Sequence, residues 1–344
     1  MKIGIIGSPR FLTKSFHDFY PLVKYRKDFY KDGVEIEFLK NYEKIDIYDI
    51  LIIHTRNHGF SERSKFVEFL SNISKRNTKI ICYDGYDTSG FVDGDVIPFV
   101  DGFLKKQVLK DKNQYTLNNK DLSVRPWLAE MPTVPKYDDL IVCKQEDLSK
   151  IKLGWNIGIN NYDEYPFGPL NIFRNLYKNK DKTNNFPETK SFFTSFRGTV
   201  NYNDQISLQR NITIDVLKKI NLGESLLSSD KIDRFKYLDE MKSSKCIVSP
   251  FGWGEICYRD FEAMLCKSLL IKPNMQHIDT FPNIFKINET YIPVAWDLSD
   301  LEKVISDVYS NYDDYSKIVD TACNEITYYQ NSYSEFKNHF ISSI

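Results

Sequence analysis

The sequence has no cysteine pair at a metal-knuckle spacing: the six cysteines at 82, 143, 246, 257, 266 and 323 are scattered. Several lie in apolar strand-like or helix-like runs, where a free thiol behaves as a small hydrophobe, so the chain reads as a reduced, cytoplasmic protein. No apolar run reaches transmembrane length, and the opening MKIGIIGSPRF is broken by glycine and proline too early for a signal peptide. Neither sign of charge dominates: 46 basic and 47 acidic residues give a net charge of −1. That sets aside a general nucleic-acid binder and predicts no nucleic-acid partner, while leaving room for a bound nucleotide. Amide- and lysine-rich patches such as YKNKDKTNN are discounted, because Lys and Asn are used heavily throughout.

What is present is apolar and aromatic. Apolar residues make up 42% of the chain and aromatics 15%, enough to bury two cores and to argue against disorder. At 344 residues the chain exceeds what one core usually supports, so two domains of roughly 150 residues each are expected. Short β-branched runs alternate with helical patterns: KIGIIG (2–7), VEIEFL (34–39), DILIIH (49–54), KIICYD (79–84) and LIVCK (140–144). Runs this short, with room for a helix between them, indicate parallel strands buried on both faces. SERSKFVEFLSNISKRN (61–77) is the clearest helix, with Phe66, Phe69, Leu70 and Ile73 on one stripe. After the turn-like YPFGP the pattern resumes, with strands at 191–196, 245–250, 268–273 and 290–296 and helices near 204–220, 231–243, 255–266 and 299–310. The fold class is α/β: two Rossmann-like doubly wound domains facing each other across a cleft. Their spans are 1–170 and 171–325, with 326–344 a helix returning to the first.

The richest stretch is SPFGWGEICYRDFEAMLCKSLLIKP, 249–273. The strand 245–250 runs into this stretch; Gly252 and Gly254, flanking Trp253, allow a tight turn and close approach of a ligand; and a helix carrying Tyr258 is expected to start at about Glu255. Its leading N–H groups would suit an anion. Glu255, Arg259 and Glu262 stand at i, i+4 and i+7, one face of that helix. A guanidinium there can fork onto a diphosphate, and a carboxylate a turn later can accept sugar hydroxyls; a solvated ion-pair stripe is the plain alternative.

The run Ser249–Pro273 resembles the sugar-nucleotide half of glycosyltransferases of the GT-B fold, and most resembles the exostosin-type branch, whose pattern is a Ser-Pro-Gly loop, Arg-x-x-Glu-Ala, a small-residue turn and a strand. Arg259, Glu262 and Ala263 fall on Arg-x-x-Glu-Ala. FFTSFRGTVNYNDQISLQRN is similar to the first strand and loop of that half, with Arg197 and Gly198 on the loop and Arg210 on the helix. The resemblance covers about residues 190–300. It implies that the arginine binds donor phosphates and that Glu262 holds the ribose, so that Glu262→Ala weakens donor binding with the fold intact. Two departures stand out: Lys267-Ser268 replaces a small-residue turn, and Glu255 does not reproduce a Glu-x7-Glu spacing.

In the first half, GSPRF (7–11) either ends a strand or contacts an acceptor; it has neither the GK[ST] of a P-loop nor GxGxxG. Asp84 and Asp87 of CYDGYDTSG are candidates for the base that takes an acceptor proton, or are simply turn formers. HTRNHGF brings His54, Arg56 and His58 to a strand end, with His54 a cleft-lining or a structural histidine and no third ligand for zinc. DGFLKKQVLKDKNQY (101–115) reads as a helix carrying Lys105, Lys106, Lys110 and Lys112, turned to solvent, to a phosphorylated or lipid-linked acceptor, or to a membrane surface. No DxD stands where a metal-dependent sugar transferase carries one, so no metal and no cofactor beyond the nucleotide-diphosphate sugar is expected. The expected function is transfer of that sugar to a glycan or lipid-linked acceptor, with inversion favoured by the resemblance. A sugar-nucleotide epimerase or a non-catalytic binding subunit are the alternatives.

Overall fold

The computed structural model describes residues 1–7, 14–56, 58–117, 127, 141–160, 162, 186–200, 202, 204–220, 222, 224–228, 230 and 232–344. Residues 8–11 of GSPRF, the YPFGP turn and the 177–185 patch lie outside them.

Two parallel sheets carry the molecule. The first uses β1 (Lys2–Ile6), β2 (Glu35–Leu39), β3 (Ile50–His54), β4 (Lys79–Tyr83), β5 (Gly102–Lys105) and β7 (Ile151–Leu153), ordered β2-β1-β3-β4-β5-β7. The second uses β8 (Phe192–Arg197), β9 (Ser225–Ser228), β10 (Ser244–Val248), β11 (Leu269–Pro273) and β13 (Ile292–Val294), ordered β13-β11-β10-β8-β9. Strand ILIIH of β3 is buried at every position, as a central strand covered on both faces must be. The helices are α1 (Lys14–Lys24), α2 (Arg26–Lys31), α3 (Arg63–Ile73), α4 (Asp204–Lys219), α5 (Arg234–Lys242), α6 (Tyr258–Leu265), α7 (Leu301–Ser310), α8 (Ser316–Asn331) and α9 (Tyr333–Ser343). In α3, Phe66, Leu70 and Ile73 are buried at i, i+4 and i+7.

The two sheets are joined. β6 (Gln107–Leu109) pairs antiparallel with β12 (Ile278–Thr280), so a strand from each half of the chain forms a two-stranded bridge. One hydrophobic cluster includes Ile53 and Phe103 of the first sheet together with Ile247 of β10 and Phe261 of α6. Helix α9 places Phe336 and Phe340 in a second cluster, with Phe29 and Trp155. Tyr333 and Lys337 also donate to Asp32 at 2.8 and 2.6 Å.

Three expectations need correction. Residues 101–115 are not a helix but β5, β6 and a short 3-10 turn, and Lys105 and Lys106 are buried. Phe103 pairs with Cys82 in the ladder, and each ammonium finds a buried carboxylate, which makes a lysine pair tolerable in a strand. Residues 141–144 of LIVCK form no strand: Cys143 N bonds to the Tyr115 carbonyl, and the next ladder position is taken by Ile151–Leu153. The helix expected from about Glu255 begins at Tyr258, because Cys257 is its N-cap and the Asp260 carboxylate accepts from Cys257 N at 2.9 Å.

Candidate functional site

The carboxyl ends of β4 and β5 meet the carboxyl end of β10 almost without a gap. A Cβ built on Gly254 would lie 1.6 Å from the carbonyl oxygen of Asp87, so only glycine lets the two backbones touch. Next to it Glu255, buried, accepts from Ser89 N at 3.0 Å, from the Ser89 hydroxyl, and from Gln107 Nε2 at 3.3 Å. Burial opposes its charge, but His277 and Ser89 outweigh it and hold the carboxyl below the usual range. Glu255 thus ties the two sheets together and shares no helical face with Arg259 and Glu262. Tyr258 crosses the same seam, its hydroxyl 3.2 Å from His17 Nδ1 and accepting from Asn160 Nδ2 at 3.3 Å.

On the second-sheet side four expected residues fall into two pairs. Arg197 is already committed: it forks onto Glu240 at 2.8 and 3.0 Å and donates to the Asp230 carbonyl at 2.8 Å. Glu262 is likewise engaged, accepting from Arg234 Nη1 and from Tyr237 OH at 2.9 Å. The other pair differs. Arg259 donates to Ser249 Oγ at 3.1 Å and to the Arg197 carbonyl at 3.0 Å, while Arg210 donates to the Thr199 carbonyl at 2.5 Å. Among the described residues neither guanidinium has a carboxylate within 4.0 Å, and the buried Arg210 Nε has no hydrogen-bond partner. Burial and the nearby charge of Arg259 lower the proton affinity of Arg210. Gly198 and Gly252 lie against these groups: a Cβ would come within 3.3 Å of Arg259 Nη1 at Gly198 and 2.6 Å of Arg210 Nη2 at Gly252. The two guanidiniums thus lie near one another between glycine loops, with the charge of Arg259 acting on Arg210.

Ser249 is itself held from below. Its hydroxyl donates to Asp260 Oδ1 at 2.5 Å, and Asp260 pairs with Lys272 at 3.0 Å, both fully buried. All three residues lie in the 249–273 stretch, yet sequence reading missed this chain, because only the fold brings the end of β10, α6 and β11 side by side.

On the first-sheet side the three expected groups separate. Asp84 is buried on Lys105 at 2.6 Å. His54 Nδ1 accepts the Arg56 N–H at 3.1 Å, which puts the ring proton on Nε2, 2.9 Å from buried Asp18. His58 turns elsewhere and stacks on Phe66 with centroids 3.9 Å apart. Asp87 keeps 38% of its side chain exposed, 3.3 Å from Lys106 Nζ, and Lys106 also reaches Asp18 at 3.0 Å. Burial works against the Asp18 charge, yet Lys106 and His54 prevail and hold its carboxyl below the usual range. Of the three, Asp87 is the one with a carboxylate open to a substrate. Asp18 and Lys106 were not foreseen: one sat in a helix with no motif, and the other was read as a surface lysine.

Among the described residues no group of three His, Cys, Asp or Glu side chains is placed to hold a metal ion, and no helix is long and apolar enough to cross a membrane.

No protein-family model and no curated protein matches the chain. Solved structures similar to it are glycosyltransferases. An alpha-glucosyltransferase in complex with UDP and a 13-mer DNA is 13% identical over 99% of this chain and 98% of its own, with a TM-score of 0.45. HepE of Anabaena in complex with UDP-glucose is 10% identical over 100% and 99%, with a TM-score of 0.47. A glycosyltransferase from Rickettsia africae ESF-5 is 12% identical over 99% and 96%, with a TM-score of 0.46. The expectation of no nucleic-acid partner is withdrawn: it rested on net charge alone, and alpha-glucosyltransferases among these structures hold DNA beside UDP or UDP-glucose.

Proposed function

We propose that the protein is a glycosyltransferase whose donor is a nucleotide-diphosphate sugar, with each sheet and its helices acting as one domain and the reaction taking place at the seam between them. The observation that carries this is the Arg210–Arg259 pair at the carboxyl ends of β8 and β10, two guanidiniums without a carboxylate partner among the described residues, one of them with a buried, unused N–H. Parallel α/β sheets bind ligands at that edge. The pair neutralises the charge that grows on the leaving diphosphate, which removes the need for a divalent ion. Glu262 receives the ribose hydroxyls: each of its oxygens has one protein donor and keeps a second lone pair. Asp87, beside Lys106, takes the acceptor proton in an inverting displacement.

Titration calorimetry with UDP and UDP-glucose tests the anion site. Arg210→Gln should weaken UDP binding ten- to hundredfold, the worth of one charge-assisted contact, with an unchanged melting temperature in the absence of ligand. Equal UDP affinity in wild type and variant would refute the assignment. Transfer should be unaffected by EDTA. The anomeric configuration of the product, read by NMR, tests Asp87: a retained configuration removes its role as base.

A further inference from the structure

The loop between β10 and α6 is clamped on both sides of Trp253. At Gly252 the backbone lies against Arg210, where a Cβ would come within 2.6 Å of Nη2, and at Gly254 it lies against the Asp87 carbonyl, where a Cβ would come within 1.6 Å. The tryptophan between these contacts is 51% exposed, whereas Trp127 and Trp155 are 1% exposed. Trp296 is half-buried and donates Nε1 to the Asn274 carbonyl at 2.8 Å. Tyr202, 42% exposed, meets the indole edge-on with centroids 5.8 Å apart and planes at 71°. The other face of this arrangement is charged: Arg210 Cζ stands 5.1 Å from the Tyr202 ring centroid. A large aromatic with half its surface exposed on a backbone that is held on both sides calls for an explanation of its own.

The clamps hold the backbone that carries the indole, and Tyr202 is the ring beside it. One adjoining residue touches the guanidinium assigned to the diphosphate, and the other touches the residue assigned as base. In a glycosyl transfer, what lies between a leaving diphosphate and the base is a pyranose ring, that of the transferred sugar or that of the acceptor. One face of a pyranose is made of C–H groups, which bury well on an aromatic surface. We propose that Trp253, supported by Tyr202, is a stacking platform for a pyranose ring. The proposal rests on the glycosyl-transfer reading for its two flanking landmarks.

The test separates the two readings by using nucleotide-free sugars. Saturation transfer from the aromatic protons to the ring protons of methyl glycosides of glucose, galactose and N-acetylglucosamine should be seen with wild type, and those glycosides should shield tryptophan fluorescence from acrylamide. Both effects should vanish in Trp253→Ala and survive in part in Trp253→Phe, with melting temperatures unchanged because the side chain is exposed. Calorimetry then names the source of the ring. If UDP-glucose binds about tenfold more weakly to Trp253→Ala while UDP binds as before, the platform holds the donor sugar; if both bind as before and glycoside contact is lost, it holds the acceptor sugar. Glycoside contact without any UDP binding by wild type would keep the platform and remove the donor reading. The proposal is overturned by absence of transfer to all three glycosides, by transfer that persists in Trp253→Ala, or by a loss of UDP affinity as large as that of UDP-glucose, which would mean that a nucleobase stacks there.

Discussion

Arg197 and Arg259 look alike in the sequence, each at the end of a strand-like run or the start of a helix. Their difference lies in what other parts of the chain bring: Glu240 of α5 reaches Arg197, and no described acid reaches Arg259. Residue identity was therefore legible and charge pairing was not. The same holds for Glu262, whose carboxylate faces Arg234. Glu262→Gln should lower stability by about 2 kcal/mol, since it removes a buried charge–charge contact, and a fall in melting temperature without nucleotide is the check. That revises the expectation that a change at Glu262 leaves the fold intact. Gly254→Ala should be more severe, because the methyl group has no space against the Asp87 carbonyl; loss of more than about 3 kcal/mol in denaturant unfolding is expected. Asp93 supplies a pH signature. Burial pushes its carboxyl up from 3.8 to about 7 although Arg63 lies 2.7 Å away. The unfolded chain gives up this proton first, so its contribution favours the folded state below about pH 4 and is lost as pH rises to 7. Asp93→Asn should accordingly raise the melting temperature over wild type more at pH 8 than at pH 5.

Element ends show where sequence patterns stop being informative. Helix α6 closes in a Schellman motif, with Ser268 N bonded to the Ala263 carbonyl and Lys267 N to the Met264 carbonyl. Lys267 therefore sits at φ 52°, a left-handed conformation that suits glycine. The departure from a small-residue turn noted in the sequence is thus a change of side chain at an unchanged backbone turn. Lys267→Gly should stabilise by about 1 kcal/mol, measured as a higher denaturation midpoint, with little offset from the exposed Lys267–Asp320 pair at 3.6 Å. Four strands of the second sheet and α4 to α7 lie close to where the periodicity puts them, whereas the short edge strand β9 (Ser225–Ser228) was not foreseen. The 101–115 segment misled because two adjacent lysines in GFLKKQVL resemble a helix surface. Only the tertiary structure reveals Asp18, Asp84 and Asp87 waiting for them.

At the scale of the molecule, alternation of strands and helices was enough to indicate two parallel sheets, while the extent of their fusion was not. The β6–β12 bridge pairs residues more than 160 positions apart, and the shared cluster likewise joins the two halves of the chain, both beyond the reach of any local pattern. Asp18 and Glu255, both held below the usual carboxylate range, set the acid limit of this joined structure. Their stabilisation is present above the ordinary values of 3.8 and 4.5 and is lost as pH falls through the depressed folded values. Glu255→Gln should flatten the acid side of the stability curve and lower the melting temperature at pH 7. The placement of α9 has a consequence for biosynthesis. Phe29 and Trp155 find Phe336 and Phe340 only after the second sheet, which lies between them in the sequence, has been made. During translation the first sheet leaves the ribosome with an oily flank uncovered, and that flank stays open to chaperones or to aggregation until α9 arrives.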